Sequence, residues 1–200
     1  MTDHFSRGVD PAALETRPLV GLRVLDMSRL DSGQVSIEAK PFDLAQSILN
    51  SIRRIEHAAD EKHIGVEVRV RDRAHAVGDR SAIENSLAIV LRNAVKFTAG
   101  DGKVSVRMRA ARDGYNVFIA DTGPGMSREA ISLIGRPFQQ FHSQVDNGMK
   151  GSGLGLAIAH SLVSMHDGRL RIRSQPGRGT VVQFYLPINR ATRQATAVAA

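Results

Sequence analysis

Three separated patches, met in a fixed order, constrain this chain more than any other feature. They are Asn93-Ala94-Val95-Lys96-Phe97, then Asp121-Thr122-Gly123-Pro124-Gly125-Met126, then Gly151-Ser152-Gly153-Leu154-Gly155-Leu156. The first falls late in a stretch, 81–98, where Ile83, Leu87, Leu91 and Ala94 recur at helical spacing. The second follows Val117-Phe118-Ile119-Ala120, a run apolar at every position that predicts a strand buried on both faces. The third opens a helical pattern, 154–165, carried by Leu154, Ile158, Leu162 and Met165. Residues 123–150 between the last two are polar and loop-rich, with one short helix expected at 127–134. A fold that uses all three must bring a helix face, a strand end and a helix N-terminus to one place.

The rest of the chain supplies a frame for that. A helix is expected over 14–30, stopped by Asp31-Ser32-Gly33, and a short strand over 34–38. A helix opened by Phe42-Asp43 should run to about Lys62, with Leu44, Ile48, Ile52 and Ile55 inward. Strands are expected at 66–70 and at Ala76-Val77. Asp113-Gly114 should turn a hairpin between 103–111 and 115–120, and Pro176-Gly177 should join 169–174 to 180–186. The fold class that follows is α+β: a two-layer sandwich with a mixed sheet of five or six strands, three helices on one face, and an N-terminal helical stub. The divisions are 1–33 (a flexible start and a helix that packs outside the main domain), 34–188, and a solvated tail at 189–200.

Composition narrows the function classes. No apolar run reaches the roughly 18 residues of a membrane span, and Met1-Thr2-Asp3-His4 opens no signal peptide. The 200 residues include no cysteine, which excludes disulfides and thiolate metal sites and fits a cytoplasmic protein. A net charge of +7 suits solubility, an anionic ligand or an acidic protein partner. Scattered arginines and only 4% aromatic residues argue against nucleic acid.

Asp121 stands where an apolar strand meets a Gly-Pro-Gly turn. A carboxylate there can accept the exocyclic amine of adenine, and glycines let the backbone approach a flat ring. The same residues would also serve as a plain tight turn. Asn93 and Lys96, three residues apart on one helix face, offer an amide oxygen to Mg2+ and an ammonium to phosphate. They would equally make an exposed polar face. Gly151, Gly153 and Gly155 before a helix present amides and a helix dipole to phosphates. No Walker-type Gly-Lys-Ser/Thr is present, and no buried strand leads into this turn as in a dinucleotide fold. Taken jointly, the patches supply the parts of one nucleotide site that is not a P-loop.

These patches make the chain resemble, over about residues 13–187, the ATP-binding catalytic domain of sensor histidine kinases. That domain belongs to a superfamily shared with gyrase, heat-shock ATPase chaperones and mismatch-repair ATPases. Asn93-Ala-Val-Lys-Phe-Thr98 is similar to the N box, and Asp121-Thr-Gly-Pro-Gly-Met126 to the G1 box. Arg136-Pro-Phe-Gln-Gln-Phe141 is similar to the F box of the lid, and Gly151-Ser-Gly-Leu-Gly-Leu-Ala-Ile158 to the G2 box. Gly177-Arg-Gly-Thr180 resembles the late Gly-Thr beside adenine. The resemblance implies that Asn93 ligates Mg2+ and Lys96 contacts phosphate. Asp121, with Gly123, Gly125 and Thr180, reads adenine, and Gly151, Gly153, Leu154 and Gly155 hold phosphates. Lys150 either reaches the terminal phosphates or is simply solvated, and Phe138 anchors the lid. Leu25-Asp-Met-Ser-Arg-Leu-Asp-Ser-Gly33 with Pro41-Phe-Asp-Leu44 is similar to the end of a second dimerisation helix and its link.

Two departures matter. Position 89 is Ile, where histidine kinases place a second Asn and the hydrolytic relatives their general-base Glu; Ile can neither activate water nor hold a metal. No histidine stands in a phosphoacceptor context: His166-Asp167 ends the last helix before Gly168, where the imidazole should cap carbonyls. The expectation is a histidine-kinase catalytic domain presenting the γ-phosphate of Mg-ATP to a histidine outside this chain. Its implied partners are a dimerisation and phosphoacceptor domain and the receiver domain of a response regulator, with homodimerisation possible and neither nucleic acid nor membrane contacted. The parent could be membrane-anchored. The alternatives are a nucleotide-binding pseudokinase, a free-standing ATPase, and, as a further rival, a basic nucleic-acid module.

Overall fold

A computed structural model describes residues 39–71, 73–133 and 155–188. The expected helix at 14–30, strand at 34–38, F box, Lys150, Gly151, Gly153, Leu154 and tail lie outside the described residues.

Alternation builds the sheet. Val104, Val106 and Met108 of strand β4 (Lys103–Ala111) point to one face and are buried, while Lys103, Arg107 and Arg109 are exposed. Strand β5 (Gly114–Asp121) pairs antiparallel with β4 around the expected Asp113-Gly114 corner and with β7 (Thr180–Pro187), and β6 (Arg169–Ser174) pairs with β7. Strand β2 (Gly65–Arg69) joins the far edge parallel to β4, so the five strands run β2-β4-β5-β7-β6. A parallel pair needs a crossover, and here it is made through helix α3 (Arg80–Phe97).

The helices cover one face. Helix α3 packs between α1 (Leu44–Arg53) and α5 (Gly155–Ser164), and the three helices and the sheet share one hydrophobic cluster; the short helix expected at 127–134 is α4 (Arg128–Leu133). Ile83, Leu87, Leu91 and Ala94 point into it as their spacing predicted. Asp79 caps the start of α3, its Oδ1 accepting from Ala82 N–H at 3.0 Å. At the other end the Lys62 ammonium donates to the carbonyls of Val95, Lys96 and Thr98 at 3.0, 2.8 and 3.3 Å. A cation there also complements the negative end of the helix dipole.

Three details differ from the sequence reading. The residues leading into the first helix form a strand that was not expected: Lys40–Asp43 is strand β1, antiparallel to β3 (His75–Gly78) in a separate two-stranded ribbon. Asp43 does open the helix as expected, as the N-cap of α1, its Oδ1 accepting from Ala45 N–H and Ala74 N–H at 2.9 and 3.1 Å. The helix expected to reach Lys62 breaks at Arg54-Ile55, where Ile55 turns into the core, and resumes as α2 (Glu56–Glu61). Finally, only Val117 and Ile119 of the apolar run are buried; Phe118 and Ala120 point to the other face of the sheet and are half-buried. No element of the described residues lies over that face.

Candidate functional site

Asp121 ends β5 directly opposite Thr180, which begins β7. Its Oδ1 accepts from Gly123 N–H at 2.9 Å and from Thr180 N–H at 3.2 Å. Both donors fall on one oxygen, and among the described residues none donates to Oδ2. Burial raises the Asp121 pKa, offset in part by the two backbone donors. The result is a carboxylate held in one orientation, with its second oxygen left free of described donors.

The loop after Asp121 is bound to the β6–β7 turn. Ser174 Oγ accepts from Met126 N–H at 2.8 Å, lies 2.9 Å from Thr180 Oγ1, and donates to the Gly179 carbonyl at 2.8 Å. Gly177 N–H donates to the Pro124 carbonyl at 2.7 Å. Two glycines make this closeness possible. Gly125 has φ +68 and a Cβ there would run into the Gln175 carbonyl; Gly179 has φ +80 and a Cβ there would run into the Asp121 carbonyl. Residues 121–126 and 174–180 therefore act as one wall. Ser174, its joint, is marked by no periodicity or motif in the sequence; only its place at the end of an edge strand could have pointed to it.

Helix α3 reaches the same wall. A Cβ on Gly123 would lie 2.9 Å from both Asp121 Oδ1 and the Phe97 carbonyl, so the end of α3 abuts the turn. Phe97 itself is exposed, and the Lys96 ammonium stands 5.1 Å from its ring centroid. One turn back, Asn93 is half-buried, and no described residue hydrogen-bonds its side chain. One turn further back, Ile89 is buried, and a Cβ on Gly155 would lie 3.2 Å from its Cγ2. The first turn of α5 thus leans on the face of α3 that carries Ile89. The structure brings Asn93, Lys96, Asp121, Gly123, Gly125, Gly155 and Thr180 around one region through these contacts. Lys150, Gly151, Gly153 and Leu154 lie outside the described residues.

His166 is structural. Nε2 accepts from Asp79 N–H at 2.9 Å, so Nδ1 carries the proton and donates to the Leu162 carbonyl at 2.7 Å.

Residues 78–190 match the family model described as histidine kinase-, DNA gyrase B-, and HSP90-like ATPase. The chain belongs to this ATPase family. Within it, the "Non-motile and phage-resistance protein" of Caulobacter vibrioides is 32% identical over 177 residues, which are 86% of this chain and 21% of that one. The mycobacterial sensor histidine kinase MprB is similar in structure, with a TM-score of 0.65 and 30% identity over 74% of this chain and 97% of that chain. Full-length ShkA in complex with AMPPNP superposes with a TM-score of 0.72 and 28% identity over 82% of this chain and 34% of that one. The ATPase domain is therefore that of the histidine kinases. The chain spans 21% to 31% of the length of the first curated relatives it matches. Among the described residues no helix is long and apolar enough to cross a membrane.

Proposed function

We propose that this chain binds Mg-ATP between α3, the 121–126 loop and the start of α5, and presents the γ-phosphate to a histidine carried outside it. The observation that carries the reading is Asp121. Two backbone donors occupy one of its oxygens, which leaves the other aimed as an acceptor for the adenine amine. Gly125 and Gly179 keep side chains out of the space beside it. Thr180, whose N–H fixes the carboxylate, is part of the same adenine end.

Asn93 and Lys96 form the phosphate end. Among the described residues there is no cluster of three His, Cys, Asp or Glu side chains that could hold a metal. Mg2+ fits nonetheless, because it keeps water and substrate oxygens and needs few protein ligands. Asn93, whose amide bonds no other described residue, would hold it, and the ion would neutralise phosphate charge. Lys96 supplies a further positive charge. The amides at the start of α5, joined by Gly151, Gly153, Leu154 and Lys150, close the phosphate side. Phosphoryl transfer asks the protein mainly for positioning and charge neutralisation, and these residues do both. Ile89 stands where a water-activating base would be needed for hydrolysis; its buried alkyl side chain against Gly155 favours transfer over a free-standing ATPase. We assign the acceptor to a dimerisation-helix domain and the onward receiver to a response regulator, in a cytoplasmic setting.

The test mixes the chain with a separate dimerisation-helix fragment and labelled ATP. Acid-labile, base-stable label on the fragment is expected, together with ATP binding that strengthens when Mg2+ is added. ATP binding without any transferred label would favour the pseudokinase reading, and steady phosphate release without the fragment the ATPase one.

A further inference from the structure

The arginines that look scattered in the sequence converge in the fold. Strand periodicity sends Arg107 and Arg109 of β4 and Arg169, Arg171 and Arg173 of β6 to the sheet face opposite the helices, where all are exposed. Asp121 shares the helix-side face with Val117 and Ile119, so this second face is separate from the nucleotide site. Among the described residues no carboxylate lies within 4 Å of any of these five guanidiniums; the ion pair on this face is Lys103–Glu67, 3.9 Å apart. On β2, Arg69 lies directly opposite Arg107. Like charges so placed destabilise a sheet. Folding alone gives no reason for the arrangement.

The layout has a shape. Rows across the sheet read Arg107, Phe118, Gln183, Arg171 and Arg109, Asn116, Tyr185, Arg169. Two arginine rails on β4 and β6 therefore flank a neutral strip on β5 and β7. The rails are three strand spacings, or about 14 Å, apart. The strip is half apolar, with Phe118, Ala120, Val181 and Tyr185, and its Asn116 and Gln183 satisfy each other at 2.8 Å. Beside Tyr185 it deepens into a cavity of about 330 Å³ lined by Asp113, Asn116, Gln183, Arg169 and Arg171, with the one carboxylate at its β4–β5 turn end.

We propose that this face docks an acidic amphipathic helix of a partner protein, laid along the strip with its apolar stripe on Phe118 and Val181 and its carboxylates on both rails. A helix with side chains is about 10–12 Å across, which fits between the rails. Guanidiniums pair carboxylates in a bidentate fork, and Arg107 and Arg109 on one rail and Arg169, Arg171 and Arg173 on the other supply five of them. A nucleic-acid strand would need a succession of stacking rings, whereas this strip holds two rings and completes itself with Ala120 and Val181.

The probe is a synthetic 18-residue helical peptide with a Leu/Phe stripe flanked on both sides by Glu, measured by fluorescence anisotropy against the whole chain. A shuffled peptide of equal composition, a thymidine oligonucleotide and phosphatidylserine vesicles are the comparators. The designed peptide should bind at least tenfold tighter than the shuffled one and weaken as salt rises. Arg107→Glu with Arg171→Glu should reduce its affinity tenfold or more, with ATP affinity unchanged within twofold. If that pair lacks a cooperative melt, Arg107→Gln with Arg171→Gln replaces it, with at least threefold loss expected. Equal binding of the shuffled peptide overturns the proposal. So does wild-type affinity in the folded double variant, or tighter binding of the oligonucleotide or vesicles.

Discussion

The imidazole of His166 accepts the backbone N–H of Asp79 at 2.9 Å, fastening the end of α5 to the N-cap residue of α3. Its other nitrogen is engaged by Leu162, so neither is available as a nucleophile. His166→Ala leaves a part-buried N–H and a carbonyl without partners, at a cost of about 1–3 kcal/mol. Urea denaturation should show this loss. Labelled phosphate should never appear on His166, and the folded variant should still transfer to an added acceptor fragment.

Asp121→Asn should separate binding from stability. The amide can keep the bonds from Gly123 and Thr180 but turns a donor toward the adenine amine. ATP affinity should fall by about tenfold or more, the loss of one charge-assisted hydrogen bond. The free protein should behave otherwise. Burial raises the carboxyl pKa in the folded state. That group's contribution is then fully present below its unfolded-state pKa and is lost as pH rises through the folded-state value. At neutral pH the variant without nucleotide should be as stable as wild type or more so, and the gain should vanish in acid. Calorimetry and urea melts at two pH values read both effects.

The two left-handed glycines of the β6–β7 turn should differ in their tolerance of alanine. Gly177 has φ +73 with open space around it, so Gly177→Ala should cost only the left-handed penalty of about 1–2 kcal/mol. Gly179→Ala adds a collision with the Asp121 backbone and must separate β5 from β7 at the site. A larger drop in stability and loss of ATP binding are expected, measured by thermal melts with and without nucleotide.

Glu84 is a buried carboxylate held by Arg80 at 2.8 Å and by Arg54 and Asn50 at 3.2 Å each. Burial raises its pKa, but the Arg80 and Asn50 hydrogen bonds and the Arg80 charge outweigh it, and the net shift is downward. Its stabilisation is present above the unfolded-state pKa and is lost as pH falls through the folded-state value. Glu84→Gln should cost about 1.5 kcal/mol at neutral pH, and the gap from wild type should close in acid denaturation series.

Much of this was legible in the residues because single-element patterns survive folding. The stripe on α3 and the hairpin at Asp113-Gly114 needed only local periodicity and a turn dipeptide. What failed depended on distant partners. Phe42 reads as the entry to a helix, yet it lies in β1 because β3 lies across from it. Phe118 reads as core because it sits in an apolar run, and only the sheet's layering turns it outward. The arginines of β4 and β6 look dispersed because they are far apart in the chain, although both strands alternate. At the site, Asp121 announced itself by standing before Gly-Pro-Gly, whereas Ser174 and Lys62 act through backbone groups remote in sequence and left no local mark.

The parallel edge strand bears on how the chain is assembled. Among the described residues β2 has its one ladder with β4, whose first residue, Lys103, pairs with Gly65 across the whole length of α3. During synthesis β2 leaves the ribosome before that partner exists. It cannot pair until α3 and β4 have also been made, and Glu67 and Arg69 alternating with its valines suit that delay. The strand made earliest in this sheet thus depends for its seat on one made after an intervening helix.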